Sequence, residues 1–191
     1  MNTKTIMIRL SLGVLCWMWA ISGLQAEPLP KFELTNWDGR KVSADSLKGK
    51  TTILVFTYAR CVFSCPMITF QLKELDEEMG RPPDLNFLHI SVNPSLDTPQ
   101  EIWKHFKKHD IDAKRDPRWL FLRGSEMEVR SVLDDFGIQV KRTPVEDGVL
   151  IEHTIRVLII DPTGRPVATF NTYQWEEKEM AYALRSISGK D

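Results

Sequence analysis

The sequence predicts an α/β domain in which a central, mostly parallel sheet is flanked by helices and preceded by an N-terminal hairpin. Three observations lead there. Apolar runs of strand length alternate with stretches of helical periodicity, the pattern of parallel strands joined by helical crossovers. The run Thr52-Ile53-Leu54-Val55-Phe56 ends in a cysteine pair and passes into a helix opened near Pro66. Two late apolar runs separated by the turn Pro162-Thr163-Gly164 predict an antiparallel closing hairpin.

Taken in order, Phe32-Glu33-Leu34 and Lys41-Val42-Ser43 flank the turn Asp38-Gly39 and predict a short hairpin. The strand over 51–57 follows. Met67, Phe70, Leu72, Leu75 and Met79 then recur at helical spacing up to Gly80, with the stripe expected to face the core. Residues 85–92 predict a second strand. Thr98, Pro99 and Glu101 supply an N-cap, a proline at the first helical position and a capping-box glutamate for a helix ending near His109. A strand over 119–122, a helix opened by Ser125 and stopped before Gly137, strands near 148–152, 155–161 and 167–170, and a helix over about 175–187 complete the chain. No internal repeat or interdomain linker interrupts it.

The first 26 residues read differently. Lys4 and Arg9 precede an uncharged apolar run over 10–24, and Gln25-Ala26 ends it, as in a secretory signal cut after Ala26. Fifteen residues span about 22 Å as a helix, short of the ~30 Å hydrocarbon core, so an N-terminal membrane anchor is the second reading. Cys16 lies inside this run and reads as filler. Removing the leader takes away two cations and no acid, moving the formal charge from −1 to −3, which argues against a nucleic-acid surface. Residues 27–191, with 27% charged and 42% apolar residues over the chain, suit one domain in an exported compartment, the periplasm.

Cys61 and Cys65 are the only cysteines outside the leader, too few for a disulfide framework. At a strand-to-helix junction, unpaired N–H groups and the positive end of the helix dipole favour thiolate. Such thiolates exchange disulfides or hold soft metals, and the junction is where a thioredoxin-like fold keeps its active site. A third donor would complete a three-coordinate Cu(I) site. Among the four histidines, His153 stands just before the apolar strand 155–161.

The runs Phe56-Thr57-Tyr58-Ala59-Arg60-Cys61-Val62-Phe63-Ser64-Cys65-Pro66, Ser91-Val92-Asn93-Pro94-Ser95-Leu96-Asp97-Thr98-Pro99 and Glu152-His153-Thr154 resemble those of the Sco/SenC copper chaperones, in the same order and at similar spacing. The resemblance implies a thioredoxin-like fold and metal ligands at Cys61, Cys65 and His153. It also implies copper, held as Cu(I) and secondarily Cu(II), and a partner that is an apo copper protein such as a copper-site subunit of cytochrome oxidase. The chain departs from the family pattern at Val62, where a proline is usual, and at Asn93 and Glu152, where aspartates are usual.

Blander readings stand beside these. The cysteine pair could be a permanent local disulfide. Arg60 could support a thiolate or be a solvated flank, and Met67 could offer a thioether but belongs to the apolar stripe. His105 and His109, spaced i, i+4 among Lys104, Lys107 and Lys108, read as a solvated helix face, and His89 as a core residue. The competing function is a thiol-disulfide oxidoreductase acting on client cysteine pairs through Cys61 and Cys65. Against it stand three intervening residues instead of the usual two, and His153-Thr154 where a proline normally faces the pair.

Overall fold

The computed structural model describes residues 28–188 except 147; the expected leader lies outside the described residues. A seven-stranded sheet forms the centre, in the order β2-β1-β5-β4-β3-β8-β9. β1 (Glu33–Asn36) and β2 (Lys41–Ser43) are the expected hairpin, turned through Gly39 at φ 94°. β3 (Thr51–Thr57), α1 (Ser64–Glu78), β4 (Leu85–Ser91), α2 (Pro99–Lys108) and β5 (Trp119–Arg123) follow. Then come α3 (Glu126–Asp135), β6 (Val140–Val145), β7 (Gly148–His153), β8 (Val157–Ile160), β9 (Pro166–Phe170) and α4 (Glu177–Ser188).

The sheet is mixed, a correction to the mostly parallel expectation. Only β3–β4 and β4–β5 are parallel. β1–β2, β1–β5, β3–β8 and β8–β9 are antiparallel. A parallel neighbour needs a crossover that returns the chain to the same end of the sheet, and only α1 and α2 serve as such crossovers between adjacent strands. β3 and β4 are buried along their whole length, which is why both read as continuous apolar runs.

Alternate residues of β3 face opposite layers. Ile53 and Val55 pack with Ile68, Leu72 and Leu75 of α1, Ile102 and Phe106 of α2, and Met180 and Leu184 of α4. Leu54 and Phe56 pack on the other face with Val129, Val132 and Leu133 of α3, and both cysteines belong to this second cluster.

Local chemistry accounts for the starts of α2 and α3. Ser125 and Glu128 form a complete capping box. Thr98 caps α2 through its Oγ1, which accepts from Glu101 N at 3.2 Å, but the Glu101 carboxylate turns to Lys104 at 2.8 Å and leaves the box half made. α1 begins at Ser64, two residues before Pro66, and the face it buries carries Cys65, Ile68, Thr69, Leu72, Leu75 and Asp76. Met67 and Phe70, expected in the core, are 49% and 53% exposed.

β6 was not anticipated. It contains Lys141, Arg142 and Pro144, and none of its residues is buried, so it carries no apolar alternation. Among the described residues it pairs only with β7, in a two-stranded sheet apart from the main one.

Candidate metal centre

The buried β3 delivers the chain to Tyr58, where it turns, the Cys61 N–H donating to Tyr58 O at 3.2 Å. Cys61 lies in this turn and Cys65 in the first turn of α1; both are free and buried. Hydrogen bonding from Cys65 holds the Cys61 thiol down to about 5 despite its burial, helped by the N–H groups of Phe63 and Cys65 and by the Tyr58 hydroxyl. Cys65 moves the opposite way, raised by its hydrogen bond to Cys61 and by burial. The two thiols therefore titrate as one coupled pair, with Cys61 the more readily ionised. Arg60 is exposed, and the thiolate is held by local donors.

β7 brings His153 from the opposite side, with its Nε2 3.9 Å from Cys65 Sγ. Its Nδ1 donates to the Thr154 carbonyl at 3.0 Å, which leaves Nε2 as the unprotonated, lone-pair nitrogen. Burial lowers the His153 pKa, so the imidazole is neutral at physiological pH. The edge of one ring meets the face of the other between His153 and Tyr58, centroids 6.3 Å apart, and Cys61 and His153 line one cavity of about 320 Å³.

Two coupled thiols and one free imidazole nitrogen form a soft donor set that fits Cu(I) or Zn(II). The arrangement is open: among the described residues no three Cys, His, Asp or Glu side chains already converge as a closed metal cage. Donors from two elements face one cavity, and side-chain rotation would have to bring them together.

The remaining candidates fall elsewhere. His89 is fully buried, as expected. His105 overturns the solvated-face reading: it is 4% exposed, its Nε2 lies 3.0 Å from Thr69 Oγ1, and burial lowers it to about 3. α2 lays this side chain against α1, a tertiary placement that the surrounding lysines concealed. Glu152 is exposed and pairs with Lys141 at 3.4 Å, at the rim of the cavity that Cys61 and His153 line.

Two residues escaped the sequence reading. Tyr58 faces both Cys61 and His153. Asp97 is fully buried; its Oδ1 accepts from Ala59 N at 2.9 Å and its Oδ2 from Ser91 Oγ at 2.5 Å, tying the cysteine turn to the end of β4. Both residues stand inside the runs that carry the family resemblance, which was their signal.

Residues 23–189 match the profile of the SCO1/SenC family. The SCO1 protein homolog of Bacillus subtilis is 28% identical over 143 residues, covering 73% of this chain and 72% of that protein. The structure of Bradyrhizobium japonicum ScoI with copper bound superposes with a TM-score of 0.72 at 29% identity, covering 84% of this chain and 99% of that one. BsSco, described as a member of the Sco family of cytochrome c oxidase assembly proteins, superposes at 0.68 and 24% identity over 87% of this chain and 96% of its own. The fold is therefore thioredoxin-like, as the cysteine junction led us to expect.

Proposed function

Because the chain belongs to the SCO1/SenC family, we propose that it is a copper-binding assembly factor that delivers copper to an apo copper site of a respiratory oxidase. Cys61 and Cys65 hold the metal as thiolates and His153 closes the site. The observation that carries this reading is the imidazole: the Thr154 carbonyl fixes its tautomer so that a free Nε2 faces Cys65 Sγ. A dithiol reductase gains little from such a nitrogen. Cys61 is the first donor, being already ionised. Cys65 supplies the second thiolate by releasing its proton to solvent, and the low donor number leaves room for ligand exchange with the acceptor.

Export to the periplasm completes the proposal, with the leader cut after Ala26 or kept as an anchor. Mass spectrometry of the periplasmic fraction should find a protein starting at Glu27; full-length protein confined to membranes would support the anchor instead.

The deciding experiment is anaerobic Cu(I) titration of the reduced protein beside Cys61→Ser, Cys65→Ser and His153→Ala. One Cu(I) with a shell of two sulfurs and one nitrogen is expected by X-ray absorption, and unchanged affinity in Cys65→Ser would sink the reading. The second reading, a thiol-disulfide oxidoreductase, is favoured by the depressed Cys61 thiol beside a proton-holding Cys65, an attacking and resolving pair. His153→Ala separates the two. Under copper delivery it lowers Cu(I) retention and transfer to an apo acceptor while leaving the disulfide potential within about 30 mV, ~1.4 kcal/mol for two electrons. Intact transfer with failed exchange would replace the first reading by the second.

A further inference from the structure

An apolar groove of about 700 Å³ opens beside the cysteine turn, between that turn, the 93–96 loop and the β6–β7 hairpin. Val62 is 74% exposed there, Phe63 64%, Val149 56%, Val145 50% and Leu96 49%. These five are half of the exposed large apolar side chains among the described residues, so the exposure is concentrated at one place, the signature of a recognition surface.

The charge of the groove is as one-sided as its hydrophobicity. Arg60 and Arg142 line it, and no aspartate or glutamate among the described residues does, in a chain whose formal charge is −1. Arg142 is anchored beside the groove by its Nη2, which donates to Val92 O at 3.0 Å; its ion pair with Glu126 is long, 3.8 Å, and half-exposed, and so weak. The hairpin that forms the far wall pairs with no other strand among the described residues, which leaves main-chain edges for an extended segment to meet.

We infer that this groove docks an extended, apolar and acidic segment of the copper-acceptor protein, its aliphatic side chains on Val62, Phe63 and Val149 and its carboxylates on Arg60 and Arg142. The inference rests on the copper-delivery reading for the identity of the partner; the recognition chemistry rests on the groove. A docked segment would lie against Tyr58 and the Cys61 turn, which places the acceptor beside the site whose metal it would take. The chain's own leader is apolar but carries Lys4 and Arg9, the wrong charge for this groove.

The test uses the purified full chain, reduced and metal-free, and fluorescent peptides of about eight residues that alternate leucine with glutamate or leucine with lysine. Fluorescence anisotropy should show the glutamate peptide bound at least tenfold more tightly than the lysine peptide. Val149→Glu should weaken the glutamate peptide at least tenfold. Arg142→Glu should weaken it too and strengthen the lysine peptide, a gain that misfolding cannot produce. Equal binding of the two peptides, or unchanged affinity in Val149→Glu, overturns the inference. Sedimentation showing a dimer that Val149→Glu dissolves would assign the groove to a second copy of this chain and overturn it as well. Because no copper is present, peptide binding that survives alongside failed Cu(I) titration overturns only the copper reading, and the converse overturns only the groove.

Discussion

Asp97→Asn should make the protein more stable at neutral pH, and the gain should appear as a specific pH dependence. Asp97 is fully buried, and desolvation raises its carboxyl from 3.8 to about 6 against the opposing hydrogen bonds from Ser91 and Ala59. A carboxyl whose folded pKa lies above its unfolded value stabilises the fold while protonated; that contribution is complete below about pH 4 and is lost as pH rises through about 6. A shift of roughly 2 units at 1.36 kcal/mol each makes the loss about 3 kcal/mol. Asparagine keeps an oxygen for the Ala59 N–H and carries no charge, at the cost of the Ser91 hydroxyl's acceptor, about 1 kcal/mol. The two stability curves should therefore cross: the parent protein is the more stable near pH 4 and the Asp97→Asn variant near pH 7. Urea unfolding of both across this interval measures the difference directly. With a slope of about 1–3 kcal/mol per molar urea, the relative midpoint should move by ~1 M or more. A difference that stays flat across the interval refutes the reasoning, because it means that burial does not penalise the charge.

Other outcomes follow from the same geometry. Tyr58 is kept protonated by burial and by the neighbouring Cys61 charge, so its hydroxyl remains a donor; Tyr58→Phe should raise the inflection of Cys61 alkylation with pH by about one unit, the worth of one charge-assisted bond, and an unmoved inflection contradicts this. Arg118 makes a two-pronged pair with buried Asp76 at 2.6 and 2.9 Å and also holds Asp116 at 2.6 Å, so Asp76→Ala leaves the guanidinium paired and should destabilise by about 1.5–3 kcal/mol in urea unfolding, the worth of the lost charge-assisted bonds; a loss under about 0.5 kcal/mol speaks against it. His89 has both ring nitrogens buried without a hydrogen-bond partner while stacking on Phe121 at 5.6 Å. His89→Leu should stabilise by about 1–3 kcal/mol, and by more below about pH 6.5, where the unfolded histidine takes a proton that burial denies the folded one; a lowered melting temperature would show that ring stacking outweighs the orphaned nitrogens.

The corrections share a cause. Of the expected apolar stripe, Leu72 and Leu75 face inward with Ile68, whereas Met67 and Phe70 face outward because α1 packs on the sheet by its other side. His105 was hidden by three lysines until α2 packed against α1. β6 carries no pattern because neither of its faces is buried, and its pairing with β7 alone makes it a strand. His153 was singled out by its place just before the strand 155–161 and made a ligand by resemblance to a family, since nothing local to residues 152–154 distinguishes a ligand from a satisfied histidine.

What the amino-acid sequence determined by itself is what depends on neighbours along the chain. The continuous apolar runs of β3 and β4, the caps at Thr98 and Ser125, the turn at Gly39 and the delivery of two thiols to a strand-to-helix junction all rest on burial periodicity or on hydrogen bonds spanning a few residues. The tertiary structure alone decided what depends on partners far apart in the chain. The mixed sheet, the carboxylate of Asp97 under Ala59, the hydroxyl of Tyr58 beside Cys61 and the imidazole of His153 against Cys65, 88 residues away, arise only when the chain closes on itself. Contacts of that range are set by how whole elements pack, and no short stretch of sequence encodes the packing of another.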